Sequence, residues 1–185
     1  MRLDKSFFKS KDTITLTKEL LGKVLVYETE KGTIKGIINE TEAYTQEDVA
    51  SHTFNRNVTK RNKVMFMEEG HFYVYLTYGM YHCCNIVTES EGRGCAVLIR
   101  SVIPIEGEEI MIENRGKNKN ISDGPGKLCM AYEFHKEHSG LNLLSKDSKI
   151  YLEDLGHKPK DIQITKRIGI SKGIDKKWRF LTNKF

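Results

Sequence analysis

The chain has 185 residues, 38% of them hydrophobic and 30% charged, with a formal net charge of +5; that is length enough for one domain with a sizeable core. No apolar run approaches the roughly 18 residues that a membrane-spanning helix needs. The opening MRLDKSFFKSK lacks the apolar stretch of an export signal, so a cytoplasmic protein with no membrane partner is expected. In chain order, Thr15 to Leu21 reads as a short helix, capped by Asp12 or Thr13 and stopped by Gly22. Lys23 to Thr29 and Thr33 to Tyr44 read as the two strands of a hairpin turning at Glu30-Lys31-Gly32. Thr45 to Lys63 is polar and loop-like. His71 to Gly79 and Met80 to Thr88 form an aromatic, β-prone pair of strands, and Cys95 to Val102 is a buried-type strand. Ile105 to Arg115 is expected to be a helix, Arg115 to Asn120 a basic loop, and Gly126 to Phe134 a second helix after Gly124-Pro125. Ser148 to Leu155, Ile162 to Ser171 and Trp178 to Thr182 complete the strands. Strands interrupted by a few short helices indicate an α+β (mixed) fold, a single domain over residues 1 to 185 built on antiparallel sheet.

The four cysteines, Cys83, Cys84, Cys95 and Cys129, contain no CxxC pair, which argues against a zinc ribbon and for buried reduced thiols. His135 and His138 have no carboxylate or cysteine pattern beside them and read as a surface pair, so no metal site is expected. The positive charge is unevenly placed. Between Val49 and Met67 there is no acidic residue, while Arg56, Lys60, Arg61 and Lys63 are basic. A second basic stretch runs through Lys158, Lys160, Lys166, Arg167, Lys172, Lys176, Lys177 and Arg179, against only Asp161 and Asp175. Two basic stretches around a neutral middle fit a polyanionic partner, although solvated lysine faces would look the same.

Four features could carry chemistry. In GIINETEAY, strand alternation puts Ile34, Ile38, Glu40 and Glu42 on one face, with the two carboxylates about 6.5–7 Å apart at their backbones. Paired carboxylates are common in glycosyl hydrolysis, and equally common as salt-bridged strand ends; the pair alone does not say which residue would act. Arg100 ends the apolar run Ala96 to Ile99. A buried guanidinium needs a partner, for which Glu42 is a natural choice, unless the head reaches water at the sheet margin. In FYVYLTYGMY, Tyr73 and Tyr75 share a face, while Tyr78 and Met80 flank the turn glycine; such aromatics beside basic loops suit stacking on bases as well as they suit a core. Gly124-Pro125-Gly126-Lys127 before a helix offers amides and a lysine to a phosphate, without Walker spacing.

These residues fall in ordered segments that resemble the alkyladenine (3-methyladenine, methylpurine) DNA glycosylases: ETEAY from Glu40, EDVASH from Glu47, RNKVMFM from Arg61, YVYLTYGMYHCCN from Tyr73, AVLIR from Ala96, GPGKLC from Gly124 and RIGI from Arg167. The resemblance implies a curved antiparallel sheet from which the tyrosine-rich hairpin projects, and a monofunctional hydrolase of base excision repair. Such an enzyme flips alkylated or deaminated purines (3-methyladenine, hypoxanthine, ethenoadenine) out of double-stranded DNA. It implies Glu42 as the carboxylate that activates water, with Arg100 and the Ile168 backbone holding that water. Tyr44, His52 and Tyr75 would sandwich the base, Asn85 would clash with the 2-amino group of guanine, and Tyr78, with Met80, would fill the vacated stack. Arg61, Lys63 and Lys127 are the expected contacts to the DNA backbone. No cofactor, no lyase step and a monomer are implied; in a bacterium the protein would work at the nucleoid. The spacing from Tyr44 to His52 is one residue shorter than in vertebrate members, which bears on pocket shape. The competing reading is a non-catalytic nucleic-acid-binding module, for which Glu42 would be a liability because a carboxylate repels phosphate.

Overall fold

Asp12 starts the first helix as its residue type dictates, its side chain accepting the Thr15 amide at 2.7 Å. In the computed structural model, which describes residues 1–185, this helix, α1, spans Thr13–Glu19. Gly22 follows at φ +82°, where a Cβ would meet the His157 carbonyl oxygen at 2.5 Å, so only glycine fits. Strand β1, Val24–Thr29, then pairs with β2, Gly32–Tyr44, as the expected hairpin. The remaining elements are β3 (Phe72–Thr77), β4 (Tyr81–Val87), β5 (Ala96–Glu106), α2 (Glu108–Arg115), α3 (Pro125–Ala131), β6 (Ile150–Glu153), β7 (Gln163–Thr165) and β8 (Arg179–Leu181). The result is one antiparallel sheet in the order β3-β4-β5-β2-β1-β6, with β8 also pairing β2 and β7 pairing β8, covered by three short helices: a mixed α+β domain.

Strand β2 is the spine. One edge pairs with β5 from Lys35 to Tyr44; the other pairs first with β1 and then, at Glu40 to Glu42, with β8. The β2–β5 register slips between Ile38 and Thr41, and this corrects the expected alternation. Ile34 and Ile38 lie in the main core. Thr41 faces the same way, donating to the Thr17 carbonyl of α1 at 2.8 Å, so its neighbours Glu40 and Glu42 point to the other face. The irregularity puts two carboxylates opposite the core that the rest of the strand builds. That core joins Leu16 of α1 and Leu20 just after it, Val97 and Ile99 of β5, Leu128 of α3, and Tyr132, Phe134 and Phe180; burying each such side chain contributes roughly 1.5–3 kcal/mol.

Three expected elements differ. Ile105 and Glu106 belong to β5, not to a helix; Gly107, at φ 70°, separates strand from helix. Pro104 is tolerated because β4 leaves β5 after Ile99, so that edge needs no ladder amide there. The helix after Gly124 stops at Ala131, and Glu133 takes a left-handed φ of 54°. Of Ile162 to Ser171 only Gln163–Thr165 is strand; Gly169 and Gly173, at φ 77° and 61°, turn the chain into a loop. All four cysteines are free and buried, and no helix is long and apolar enough to cross a membrane.

Gly36 pairs with Pro104. A Cβ there would sit 2.5 Å from Val102 Cγ2 and 2.9 Å from the Tyr132 hydroxyl, itself donating to the Leu25 carbonyl at 3.1 Å. Gly36→Ala should therefore cost about 1–3 kcal/mol through overpacking, read as a lower urea midpoint with an unchanged slope. A midpoint equal to wild type would show that this contact yields freely.

Candidate active site

Glu42 is fully buried. Its Oε1 accepts the Ile168 amide at 2.8 Å and lies 3.3 Å from Arg100 Nη1, while Oε2 accepts the Tyr44 hydroxyl at 2.8 Å. An ionised carboxylate offers about four acceptor positions, so these donors leave one on Oε2. Burial pushes the Glu42 carboxyl above its usual range, and Arg100, the Ile168 amide and the Tyr44 hydroxyl pull it back. Beside it, Glu40 Oε1 receives Arg100 Nε and Arg179 Nε, each at 2.6 Å. The two carboxylates thus share Arg100, brought from β5, and Glu40 takes a second arginine from β8. Burial works against the charge of Arg100, but Glu42 and Glu40 outweigh it and leave its guanidinium held above its ordinary range.

In front of this group lies a cleft of about 570 Å³ lined by Tyr44, His52, Arg61, Tyr75, Asn85 and Arg100, among others. Glu42 is not one of its walls; it sits directly behind Tyr44, Arg100 and Ile168. Tyr73 and Tyr75, alternate residues of β3, stack at 5.2 Å and 29°, and His52 meets Tyr75 edge-on at 4.7 Å. Burial raises the Tyr44 and Tyr75 phenols, keeping both neutral. Asn85 is buried on β4 and donates to the Tyr73 carbonyl at 3.1 Å while its side chain borders the cleft. At the hairpin tip Tyr78 is 82% and Met80 67% exposed. Tyr78 takes a left-handed φ of 50°, a conformation that costs a side chain of this size about 1–2 kcal/mol and that concentrates at functional positions.

A model of the methylpurine-DNA glycosylase family matches residues 6–184. The chain belongs to that family. Among its relatives, a Clostridium perfringens (strain 13 / Type A) protein named "Putative 3-methyladenine DNA glycosylase" is 43% identical, covering 100% of this chain and 98% of that one. Proteins of the same name from Ehrlichia ruminantium (strain Welgevonden) and Francisella tularensis subsp. tularensis (strain WY96-3418) are 44% and 46% identical, over 97% and 91% of this chain and 88% and 89% of theirs.

Within this family member, Glu42, Tyr44, His52, Tyr75, Asn85, Arg100 and Ile168 gather around one cleft. The three expected contacts to the DNA backbone lie in different settings. Lys63 is exposed on a 3-10 turn; Lys127 pairs with Asp123 at 2.9 Å; Arg61 turns onto the cleft wall, 2.8 Å from His52 Nε2. Part of the second basic stretch is also structural. Arg179 serves Glu40, and Arg167 and Lys176 serve Asp48.

The pair Asp48–Arg167 was not singled out from the sequence. Both side chains are fully buried and ion-paired. Arg167 also donates to the Ala43 carbonyl at 2.9 Å and packs over the Tyr44 and Trp178 rings, with its guanidinium carbon 4.7 and 5.3 Å from their centroids. Burial alone would raise the Asp48 carboxyl, but Arg167 and Lys176 hold it below its usual range. The pair ties the loop after β2 to the 166–178 loop, and Ile168, which reaches Glu42, follows Arg167 directly. Both residues lie in EDVASH and RIGI, but a single charge in a loop has no periodicity to mark it. Arg167→Met should strand a buried carboxylate and cost about 3–5 kcal/mol, with part of the loss recovered by adding Asp48→Asn. Urea denaturation decides it: a loss below about 1 kcal/mol would show that Lys176 alone satisfies Asp48.

Proposed function

We propose that the chain is a monofunctional DNA-3-methyladenine glycosylase of base excision repair. It would hydrolyse the N-glycosidic bond of alkylated or deaminated purines flipped out of duplex DNA. The observation that carries this is a buried, arginine-paired carboxylate, Glu42, directly behind an aromatic cleft, in a member of the methylpurine-DNA glycosylase family.

In this reading Tyr44, His52 and Tyr75 hold the base, and Tyr78, with Met80, fills the gap it leaves in the stack. Asn85 stands where a guanine 2-amino group would come, and Lys63 and Lys127 meet the DNA backbone. As the base departs, positive charge develops on the sugar. A water then forms the C1′–O bond while the C1′–N bond breaks, and its proton passes to the free acceptor position of Glu42 Oε2; the base leaves with the electron pair of the broken bond, a cationic methylpurine as the neutral base and a neutral purine after taking a proton from solvent. Because Glu42 is enclosed, Tyr44 or Ile168 must move aside when DNA binds to admit that water. Arg100 keeps Glu42 ionised; Glu40 holds Arg100. Water attacks directly, so no lysine adduct forms and strand cleavage needs added alkali.

The test is a duplex carrying one hypoxanthine, incubated and then treated with alkali. Wild type should give cleavage at that site. Glu42→Gln should abolish it, by at least about a hundred-fold as expected for loss of a general base, while still binding lesion DNA; Glu40→Gln should stay active. Binding without cleavage by wild type would favour a non-catalytic module, and a dead Glu40→Gln with an active Glu42→Gln would exchange the two roles.

The pH dependence follows from the hydrogen bonds. The base form of Glu42 is ionised, so activity falls as pH drops through its pKa, which burial has raised. Tyr44→Phe keeps the stacking ring but removes a hydroxyl that lowers that pKa. The acid limb of single-turnover excision should move to higher pH. A limb that stays in place would mean that a different group titrates.

A further inference from the structure

Arg61 is the one charged side chain on the aromatic wall, and it has no counter-ion. It lies in the stretch from Val49 to Met67 that contains no acidic residue. None of the ion pairs of the protein includes it: the sixteen N···O contacts within 4.0 Å all involve other cations. It is held instead by two neutral rings. Its Nη2 is 2.8 Å from His52 Nε2, and its guanidinium carbon is 5.1 Å from the centre of the Tyr75 ring. No Asp or Glu lines the cleft; its other cations are Arg100, matched by Glu40 and Glu42, and Lys172.

The contact also bears on His52. Nη2 lies 2.8 Å from Nε2 and 3.5 Å from Nδ1, so the guanidinium sits over the imidazole. His52 Nδ1 is in turn 3.1 Å from the Tyr73 hydroxyl. Burial and the adjacent Arg61 charge push the His52 pKa down to about 4, which keeps its ring neutral at neutral pH. The wall facing a flipped base is therefore a neutral imidazole and a neutral phenol carrying one uncompensated positive charge.

We propose that Arg61 is a specificity-determining residue that biases the cleft toward neutral damaged purines and against cationic ones. This rests on the glycosylase reading. A purine methylated at N3 or N7 is cationic while still attached to the sugar, and Arg61 repels it; hypoxanthine and ethenoadenine are neutral and offer acceptor atoms to the same guanidinium. Two unit charges about 10 Å apart near a protein surface interact strongly enough to change an equilibrium about ten-fold. A phosphate contact, the role expected of Arg61 from its place in RNKVMFM, would not distinguish the two kinds of base, because phosphate neutralisation is blind to the lesion.

The experiment compares wild type, Arg61→Gln and Arg61→Lys on 3-methyladenine in freshly methylated DNA and on a hypoxanthine duplex, in single turnover with enzyme saturating so that DNA affinity drops out. Arg61 is exposed, so neither variant disturbs the core. The ratio of 3-methyladenine to hypoxanthine release should rise about ten-fold in Arg61→Gln and stay near wild type in Arg61→Lys. An unchanged ratio in Arg61→Gln, with both rates equal to wild type or both lowered together, overturns the proposal while leaving the glycosylase reading intact. Release of neither base by wild type overturns both. Nitrogen-15 NMR of the histidines gives a readout that does not depend on activity: wild-type His52 should be neutral at neutral pH and should titrate at higher pH in Arg61→Gln, and a wild-type His52 already protonated at neutral pH would overturn the arrangement.

Discussion

A carboxylate taken out of water inside a sheet is tolerated only when its lost hydration is replaced by donors. For Glu42 that replacement draws on separate parts of the chain: Tyr44 two residues along its own strand, Arg100 from β5, and the Ile168 amide from a loop more than a hundred residues downstream. Because β2 pairs with β5 on one edge and β8 on the other at this point, arginines from both neighbours converge on Glu40 and Glu42. The slip in register after Ile38 is what turns the carboxylates away from the core. Without it the same alternation would bury them among leucines and isoleucines with no donor in reach.

The loop that supplies the Ile168 amide has little secondary structure of its own. It is kept in place by a second buried charge, Asp48, and by the stacking of Arg167 between Tyr44 and Trp178. One guanidinium therefore supports the wall of the cleft and the donor to Glu42 together. Two buried charge clusters, each incomplete without residues from the far end of the sequence, make the site a product of the finished fold rather than of any one segment.

Much of this was legible in the sequence. The hairpin of β1 and β2, the aromatic strands β3 and β4, the capping of α1 by Asp12 and the buried cysteines follow from local patterns with local physical causes. Arg100 in an apolar strand required a carboxylate, and the structure supplies two. Other features escaped because nothing local encodes them. The face of Glu40 and Glu42 depends on a pairing irregularity with β5 that strict alternation cannot foresee. The extension of β5 through Pro104 depends on β4 ending early, so that the missing amide goes unneeded. The stretch from Ile162 to Ser171 looks like one strand until Gly169 is given its left-handed conformation. Arg61 is a basic residue among basic residues, and only the fold shows that it faces His52. Asp48 and Arg167 are single charges whose partnership spans most of the chain.

The cysteines gain a different meaning beside such a site. Cys83 borders the cleft, yet burial pushes its thiol up to about 11; Cys95 is likewise raised to about 11, and Cys129 well above its ordinary value. A thiol reacts with electrophiles as its thiolate, and these three are kept protonated and out of solvent. The chemicals that methylate DNA are themselves electrophiles that seek thiolates. Alkylating electrophiles of that kind therefore find no ready thiolate at these three positions, including the one that borders the cleft.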